Sequence, residues 1–175
     1  ISCYVAAFCA GLLSTACNDF LDEVPDNRTV IDTPEAVSEL LVSAYPGANC
    51  VFFTESMSDN VTDRGNTLDP YVQPDWNRAN RQAFYWEDID MTYQDSPNYF
   101  WMASYQAIAA ANHALEAIAE LEAKGVDCSA QKGEALLCRA YNHFMLVNVF
   151  AQHYNPAFAA TDMGVAYVTE PEKEV

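Results

Sequence analysis

The sequence predicts an all-α protein whose helices pair as antiparallel hairpins of the tetratricopeptide type, joined by long irregular loops. Two neighbouring segments, residues 101–121 and 133–154, carry apolar residues at the three- and four-residue spacing of a helix. Lys124-Gly125 is a typical end for the first helix, and only a few residues separate it from the second. Helices joined so closely pack antiparallel. The small residues Gly133 and Ala140 suit the close approach of tetratricopeptide pairs.

The second periodic segment, residues 133–154, is apolar over much of its circumference. Leu137, Tyr141 and Phe144 form one stripe along it, and a second apolar stripe lies beside the first. Such a helix is expected to have neighbours on several sides, so we expect Phe144 to lie in the core, where truncating a buried ring costs roughly 3 to 5 kcal/mol. Cys138, among apolar neighbours, is interpreted as a small buried hydrophobe.

The N-terminal residues 1–16 carry no charge and are mostly small or apolar, which is typical of the apolar core of an export signal. We interpret them as the remnant of a signal peptide. The run ends in small residues before Cys17, as in a bacterial lipoprotein, and this predicts lipidation of Cys17. The alternative is an ordinary cleaved signal with a free cysteine. Residues 17–32, acidic and without periodicity, are predicted to form a tether.

The first helix after the tether is predicted to begin at Thr33-Pro34-Glu35. These residues supply an N-cap, a proline at the first helical position and an acid in the first turn. The helix is expected to end before Tyr45-Pro46-Gly47. From residue 47 to about residue 97 the periodicity fails, while Asp, Asn, Pro and Gly recur. A connection of this length is functional or has irregular structure of its own.

This long connection is also rich in aromatic residues, which alternate with Asp, Asn, Gln and Arg. Sugar rings stack an apolar C–H face on Trp or Tyr, while neighbouring polar groups bind their hydroxyls. The connection is therefore the candidate ligand-binding region; the alternative is that its rings pack on the helices. The candidate ligand-binding residues are Tyr71, Trp76, Asn77, Arg78, Tyr85 and Trp86.

Composition limits the partners of the chain. Lys and Arg total 8 against 25 Asp and Glu, a formal net charge of −17. This charge repels phosphate backbones, so nucleic acid is not an expected partner. Because 51% of the residues are hydrophobic, the chain is too apolar to be disordered, and the excess acids are expected to coat a folded surface.

The sequence contains no convincing catalytic or metal site. The histidines His113, His143 and His153 lack the spacing of metal ligands, and we expect them to be exposed or capped. The segment Asp59-Asn-x2-Asp63 is similar to a calcium loop, but Pro70 occupies the position that requires a bidentate Glu. No phosphate-binding loop appears, and no nucleophile has a convincing base. We therefore predict no catalytic residue, no metal and no cofactor.

With these elements in place, the chain resembles the N-terminal part of the SusD/RagB family, outer-membrane nutrient-binding lipoproteins of Bacteroidetes. The resemblance runs in family order through nearly all of the chain, with Ala166 where the family usually has Pro. Its residues are Cys17-Asn-Asp-Phe-Leu-Asp22, Thr33-Pro-Glu-Ala36, Ala44-Tyr45, Ser58-Asp-Asn60, Trp101, Tyr105, Ile108, Ala111-Asn112, Gly133-Glu-Ala-Leu-Leu-Cys-Arg-Ala-Tyr141, Phe144 and Gly164-Val-Ala-Tyr-Val-Thr169.

The resemblance implies that residues 33–175 are the N-terminal part of a SusD-like helical domain, truncated from a longer protein. It also implies a non-enzymatic, lipid-anchored protein exposed on the cell outer membrane. Such a protein covers a SusC-like TonB-dependent transporter and captures oligosaccharides for import. The alternatives are a peptide-binding or protein-interaction module on the same scaffold and, third, a surface glycosidase. Ligand-binding residues vary in the family, so the resemblance transfers none to this chain.

Overall fold

The computed structural model describes residues 31–63 and 78–172. Its helices are α1 (Pro34–Leu41), continued by a 3₁₀ turn (Val42–Ala44), α2 (Val51–Ser56), α3 (Arg78–Phe84), α4 (Pro97–Ala123) and α5 (Ser129–Phe150). No β-strand occurs in these two ranges. The predicted all-helical fold with irregular connections is confirmed.

Two helices begin with side-chain N-caps, and the cap of α1 is the predicted Thr33. The Thr33 hydroxyl accepts a hydrogen bond of 3.1 Å from the amide of Ala36, and the Ser96 hydroxyl accepts one of 3.1 Å from the amide of Tyr99. In both helices a proline follows the cap, where its missing N–H has no helical partner to lose. Local sequence therefore sets where α1 and α4 begin.

Gly125 ends α4 in a Schellman motif and turns the chain toward α5. Its φ is +84°, and its amide donates to the carbonyl of Glu122 at 2.9 Å. The next amide, that of Val126, donates to the carbonyl of Leu121 at 3.1 Å. This tight turn lets α4 and α5 pack along each other as the predicted hairpin, which is the largest helix–helix contact among the described residues.

The last helix, α5, includes most of the periodic segment 133–154 but ends before residue 154. It begins at Ser129, where the Asp127 carboxylate accepts a hydrogen bond of 3.0 Å from the Ser129 amide, and it ends at Phe150. Ala151 is already extended. The predicted end was wrong because Tyr154 follows Phe150 at helical spacing but is exposed and lies outside the helix.

The core lies between α1, α4 and α5 and consists largely of small side chains. Small side chains such as alanine and cysteine let helices approach closely, so the aliphatic residues of α1 pack against both α4 and α5. Full burial of an aliphatic side chain stabilises the fold by roughly 1.5 to 3 kcal/mol. The buried members are Val37, Leu41, Ala44, Ala111, Ala114, Ala117, Ile118, Leu121, Cys128, Ala135 and Cys138.

The prediction that Phe144 is a core residue was wrong. Its side chain is 62% exposed, and Leu137 and Tyr141 on the same stripe are exposed as well. The face of α5 that meets α1 and α4 is formed instead by small and polar residues such as Ala135 and Asn142, with Leu146 as its largest apolar member. The second apolar stripe is not the buried face either, since its members Leu136 and Val147 are also exposed.

The long connection has irregular structure of its own, as one of the two alternatives predicted. Two short helices interrupt it, and each buries one face. Phe53 of α2 and Ala83 of α3 form a second small core with Phe100 of α4. The rings of Phe53 and Phe100 lie 6.1 Å apart between centroids. This cluster fixes α2 and α3 on the hairpin.

Beyond α5, residues 164–170 form an extended segment, here called the strap, which runs over α4 and α5. Side chains of α4 bind its backbone. The Tyr105 hydroxyl donates to the carbonyl of Ala166 at 2.9 Å, and the side-chain Nδ2 of Asn112 donates to the carbonyl of Val168 at 3.2 Å. The strap is therefore attached through its main chain, largely without burying its own side chains.

Side chains of α5 complete the attachment of the strap. Arg139 donates to the carbonyl of Thr169 and to the Asn112 side-chain oxygen, both at 3.1 Å. His143 is 6% exposed, so of the two expectations for the histidines, exposed or capped, only the second fits it. Its Nδ1 lies 2.9 Å from the Arg139 carbonyl and its Nε2 lies 3.0 Å from the Val168 amide. A carbonyl only accepts and an amide N–H only donates, so the imidazole is neutral with its proton on Nδ1.

No helix in the described part of the chain combines the length and the hydropathy needed to cross a membrane.

Candidate functional site

The candidate site lies at the C-terminal end of α3. This helix is held by its buried residues Ala79 and Ala83. At its N-terminal end, Arg78 forms an ion pair with Asp90, which ties the segment after the helix back to its start. The end of α3, with Tyr85 and Trp86, is thereby presented on a supported short helix.

Trp86 occupies an unusual backbone position. Its amide donates to the carbonyl of Ala83 at 3.1 Å, and the amide of Glu87 donates to the carbonyl of Gln82 at 2.8 Å. This is the same Schellman pattern that ends α4, and Trp86 holds the position that Gly125 holds there. Its φ is +56°. Glycine is the usual residue at this position because it has no Cβ to clash.

The Trp86 side chain does not compensate for this backbone conformation by packing. A left-handed conformation costs a residue other than glycine roughly 1 to 2 kcal/mol. The indole is 72% exposed, so most of its apolar area stays in water. Strain and exposure together indicate that this ring is placed for contact with something outside the described residues.

Tyr85 lies beside Trp86 and is fixed by a hydrogen bond. Its hydroxyl donates to the Asp63 carboxylate at 2.5 Å, and this bond raises the pKa of Tyr85 above its ordinary value. The ring stands edge-on to Phe84, with 5.0 Å between centroids. About half of it remains exposed. We call the group Asp63, Tyr85 and Trp86 the Trp86 surface.

The structure brings together only part of the predicted site. Tyr85 and Trp86 are adjacent and exposed, whereas the Arg78 guanidinium is engaged by Asp90. The predicted residues Tyr71, Trp76 and Asn77 lie outside the described residues, as does Cys17.

Asp63 was missed as a member of this surface. The sequence drew attention to it only through the calcium-like spacing of Asp59 and Asp63, and spacing could not reveal a hydrogen bond to Tyr85, which is distant along the chain. Among the described residues, no group of three or more His, Cys, Asp or Glu side chains could hold a metal ion.

The Trp86 surface combines an exposed indole face with a phenol and a carboxylate. The indole offers an apolar face for stacking, and the carboxylate oxygens accept hydrogen bonds from hydroxyl groups. A pyranose ring presents both features: C–H groups on its face and hydroxyls at its edge.

Comparison with protein families agrees with this chemistry. The model of the SusD-like family described as "Starch-binding associating with outer membrane" matches residues 19–175. No curated protein and no solved structure shows significant similarity to the chain.

The residues that carried the resemblance acquire a physical role in the structure, because Tyr105, Asn112 and Arg139 are the side chains that bind the strap. Since the family match spans most of the sequence, the chain belongs to the SusD-like family of outer-membrane-associated glycan-binding proteins, which bind their ligands and are not enzymes.

Proposed function

We propose that this protein captures oligosaccharides at the cell surface and delivers them to a SusC-like TonB-dependent transporter in the outer membrane. The observation that carries the proposal is Trp86. Its indole is exposed on a strained backbone position where glycine would be more stable, and family membership supplies the ligand class. Glycan binding would explain the exposed position of this ring, which packing does not explain.

In this proposal a sugar ring stacks on the indole of Trp86. The Asp63 carboxylate accepts hydrogen bonds from the sugar hydroxyls, and its hydrogen bond to Tyr85 holds it in place before the ligand arrives. Tyr71, Trp76, Asn77 and Arg78 belong to the same stretch of chain and would extend the platform. Each stacked ring is expected to contribute about 1 to 2 kcal/mol.

The anchor belongs to the same proposal. Acylated Cys17 would hold the protein on the outer membrane through its lipid chains, since each buried methylene contributes roughly 0.8 kcal/mol. The acidic residues after Cys17, in the stretch 18–26, would keep the folded part away from anionic head groups.

The proposal is tested by screening the protein on a panel of immobilised oligosaccharides and measuring the best ligand by calorimetry. Trp86→Ala should weaken that ligand about tenfold or more, in line with the loss of one stacked ring. Tyr154→Ala is the matched control, because Tyr154 is an equally exposed aromatic residue outside the Trp86 surface. Equal affinity of the wild type and Trp86→Ala would contradict the proposal.

A second candidate function is a protein-interaction module on the same scaffold. The exposed face of α5, with Leu137, Tyr141 and Phe144, favours it, because contiguous exposed apolar side chains mark interaction surfaces. In that case, substitutions on α5 would abolish partner binding, while Trp86→Ala would have no effect on it.

A further inference from the structure

The contact between His143 and the strap depends on the protonation state of the imidazole. Nε2 of His143 accepts a hydrogen bond of 3.0 Å from the amide of Val168, while Nδ1 lies 2.9 Å from the Arg139 carbonyl. Only the neutral ring, with its proton on Nδ1, makes both bonds. A second proton would turn Nε2 into a donor, which would then face an N–H that cannot accept. Protonation of His143 therefore removes its bond to Val168.

Arg139 places a positive charge close to the same part of the strap. It lies one turn before His143 on α5, and its guanidinium donates to the carbonyl of Thr169, the residue after Val168. The two side chains thus bind neighbouring residues of the strap. Because His143 is also 6% exposed, an imidazolium at this position would be poorly hydrated and close to a like charge.

The other titratable groups on the elements around His143 do not offset this charge. Among the described residues, no carboxylate forms an ion pair with the ring. The Tyr167 ring lies 4.6 Å from the imidazole between centroids, but it is 72% exposed, so its attraction for a cation is weak. Tyr105 of α4 donates to the Ala166 carbonyl, and the side chain of Glu170 is exposed. Tyr45, after α1, donates to the Glu134 carboxylate instead.

The strap is suited to respond to the loss of a single bond. Its residues are largely exposed, so side-chain burial contributes little to its attachment. It is held by a small number of hydrogen bonds between its main chain and side chains of α4 and α5. Segments with few buried apolar contacts open locally at low cost in free energy.

We propose that the strap is an acid-sensitive latch, attached at Val168 while His143 is neutral and loosened there when His143 takes up a proton. The bonds from Tyr105, Asn112 and Arg139 do not depend on a group that titrates near neutral pH. Acid therefore opens the strap around Val168 and leaves the helical hairpin folded. This inference does not depend on glycan binding at Trp86.

The latch is tested by measuring how pH changes the opening of the strap. Histidine ordinarily titrates near pH 6.5, so a step from about pH 7.5 to about pH 5.5 covers the change. The attached strap excludes the second proton and the open strap admits it, so this step should favour opening about tenfold. Hydrogen exchange of the Val168 amide reports the opening, measured by NMR on the full chain with isotope-labelled valine. Each exchange rate is divided by the rate of an unprotected amide at the same pH.

The protection of the Val168 amide should fall about tenfold at the lower pH. The Val37 amide, which donates to the Thr33 carbonyl at the start of α1, should keep its protection and shows that the protein stays folded. Equal protection of Val168 at both pH values would overturn the proposal.

Two variants assign the pH dependence to His143. His143→Gln replaces the imidazole with an amide that does not titrate, so the protection of Val168 should be the same at both pH values, whether or not the glutamine oxygen reaches the Val168 amide. His113→Gln, at an exposed position of α4, is the matched control and should keep the tenfold fall of the wild type. A pH-dependent protection that persists in His143→Gln, or that disappears in His113→Gln, would contradict the assignment.

Discussion

Gly125 and Trp86 hold the same position in two helix-ending turns, with φ values of +84° and +56°. At Gly125 the residue satisfies the backbone, because glycine adopts a positive φ without strain. At Trp86 the Cβ makes the positive φ unfavourable, and because the ring is exposed, its packing does not offset this strain. The chain thus contains this turn once with the favoured glycine and once with a tryptophan, and the turn with the tryptophan lies at the candidate site.

The exposed and buried positions of α5 predict opposite responses to truncation. Phe144→Ala should change the free energy of unfolding by less than about 1 kcal/mol, because the ring is mostly in water. Leu146→Ala, two residues further along the helix and fully buried, should cost about 2 to 5 kcal/mol through the cavity that it leaves. Urea denaturation of the two variants measures both values. A larger loss of stability for Phe144→Ala than for Leu146→Ala would contradict the assignment of Leu146 to the buried face of α5.

Sequence reasoning at this scale succeeded where a residue acts on its immediate neighbours. Thr33 and Gly125 were predicted from local patterns, and their hydrogen bonds lie within a few residues of each. It failed for Phe144, since the face of α5 that meets the partner helices consists largely of small and polar residues, which a search for apolar stripes does not reveal. The positive φ of Trp86 left no trace in the sequence, because nothing nearby distinguishes it from an ordinary loop residue.

At the scale of elements, the helical hairpin serves as a frame for the strap. Tyr105 and Asn112 of α4 and Arg139 and His143 of α5 all bind main-chain atoms of residues 164–170. The sequence predicted both helices and marked most of these residues through the family resemblance. It could not show that they bind the strap, because the bonds join residues far apart in the chain.

Removal of His143 should loosen the strap locally. In His143→Ala the amide of Val168 loses its acceptor, so its hydrogen exchange should quicken about tenfold, the equivalent of one net hydrogen bond. Mass spectrometry of peptides covering residues 164–170 measures this. His113→Ala, at an exposed position of α4, is the control and should exchange like the wild type. Unchanged exchange at Val168 in His143→Ala would show that the strap is held by its other contacts alone.

The start of α5 should respond to acid through Asp127. Its carboxylate accepts a hydrogen bond from the Ser129 amide, which lowers the pKa of Asp127. A lowered pKa means that the charged form stabilises the folded state above the ordinary Asp pKa of about 3.9, and that this contribution is lost as pH falls through the folded-state pKa. Asp127→Asn keeps an acceptor oxygen without the charge.

The stability advantage of wild type over Asp127→Asn should therefore be present near neutral pH and disappear in acid. Thermal unfolding of both proteins at a series of pH values measures the difference. A difference that stays constant as the pH falls from about 5 to 2 would contradict this role of the carboxylate.

At the scale of the whole molecule, the family indicates a protein that associates with the outer membrane. The chain has a net charge of −17 and still builds two helical cores among its described residues. The all-helical fold and the family were both predicted from the sequence and are confirmed. The second core of Phe53, Ala83 and Phe100 was not predicted, because its members come from three helices that only tertiary packing brings together.

Lipid attachment is the prediction that belongs to this scale. If Cys17 is the acylated residue, labelled palmitate should enter the protein in cells, and Cys17→Ala should abolish incorporation and release the protein from the membrane fraction. Cys50→Ala is the control, because Cys50 is a free thiol within the folded part. Label that persists in Cys17→Ala would place the acyl group elsewhere.

We propose that Trp86 binds a glycan and lowers the stability of the fold. The most direct test is to measure the oligosaccharide affinity and the free energy of unfolding of Trp86→Gly. Glycine relieves a strain of roughly 1 to 2 kcal/mol and adds a backbone entropy cost of roughly 0.5 to 1 kcal/mol. Gly125→Ala calibrates the same turn in reverse, since a Cβ there meets no neighbour and only the φ is affected.

We predict that the free energy of unfolding of Trp86→Gly rises by up to about 1.5 kcal/mol, while oligosaccharide affinity measured by calorimetry falls about five- to thirtyfold. A variant that is less stable and binds the oligosaccharide as tightly as the wild type would show instead that Trp86 is a packing residue.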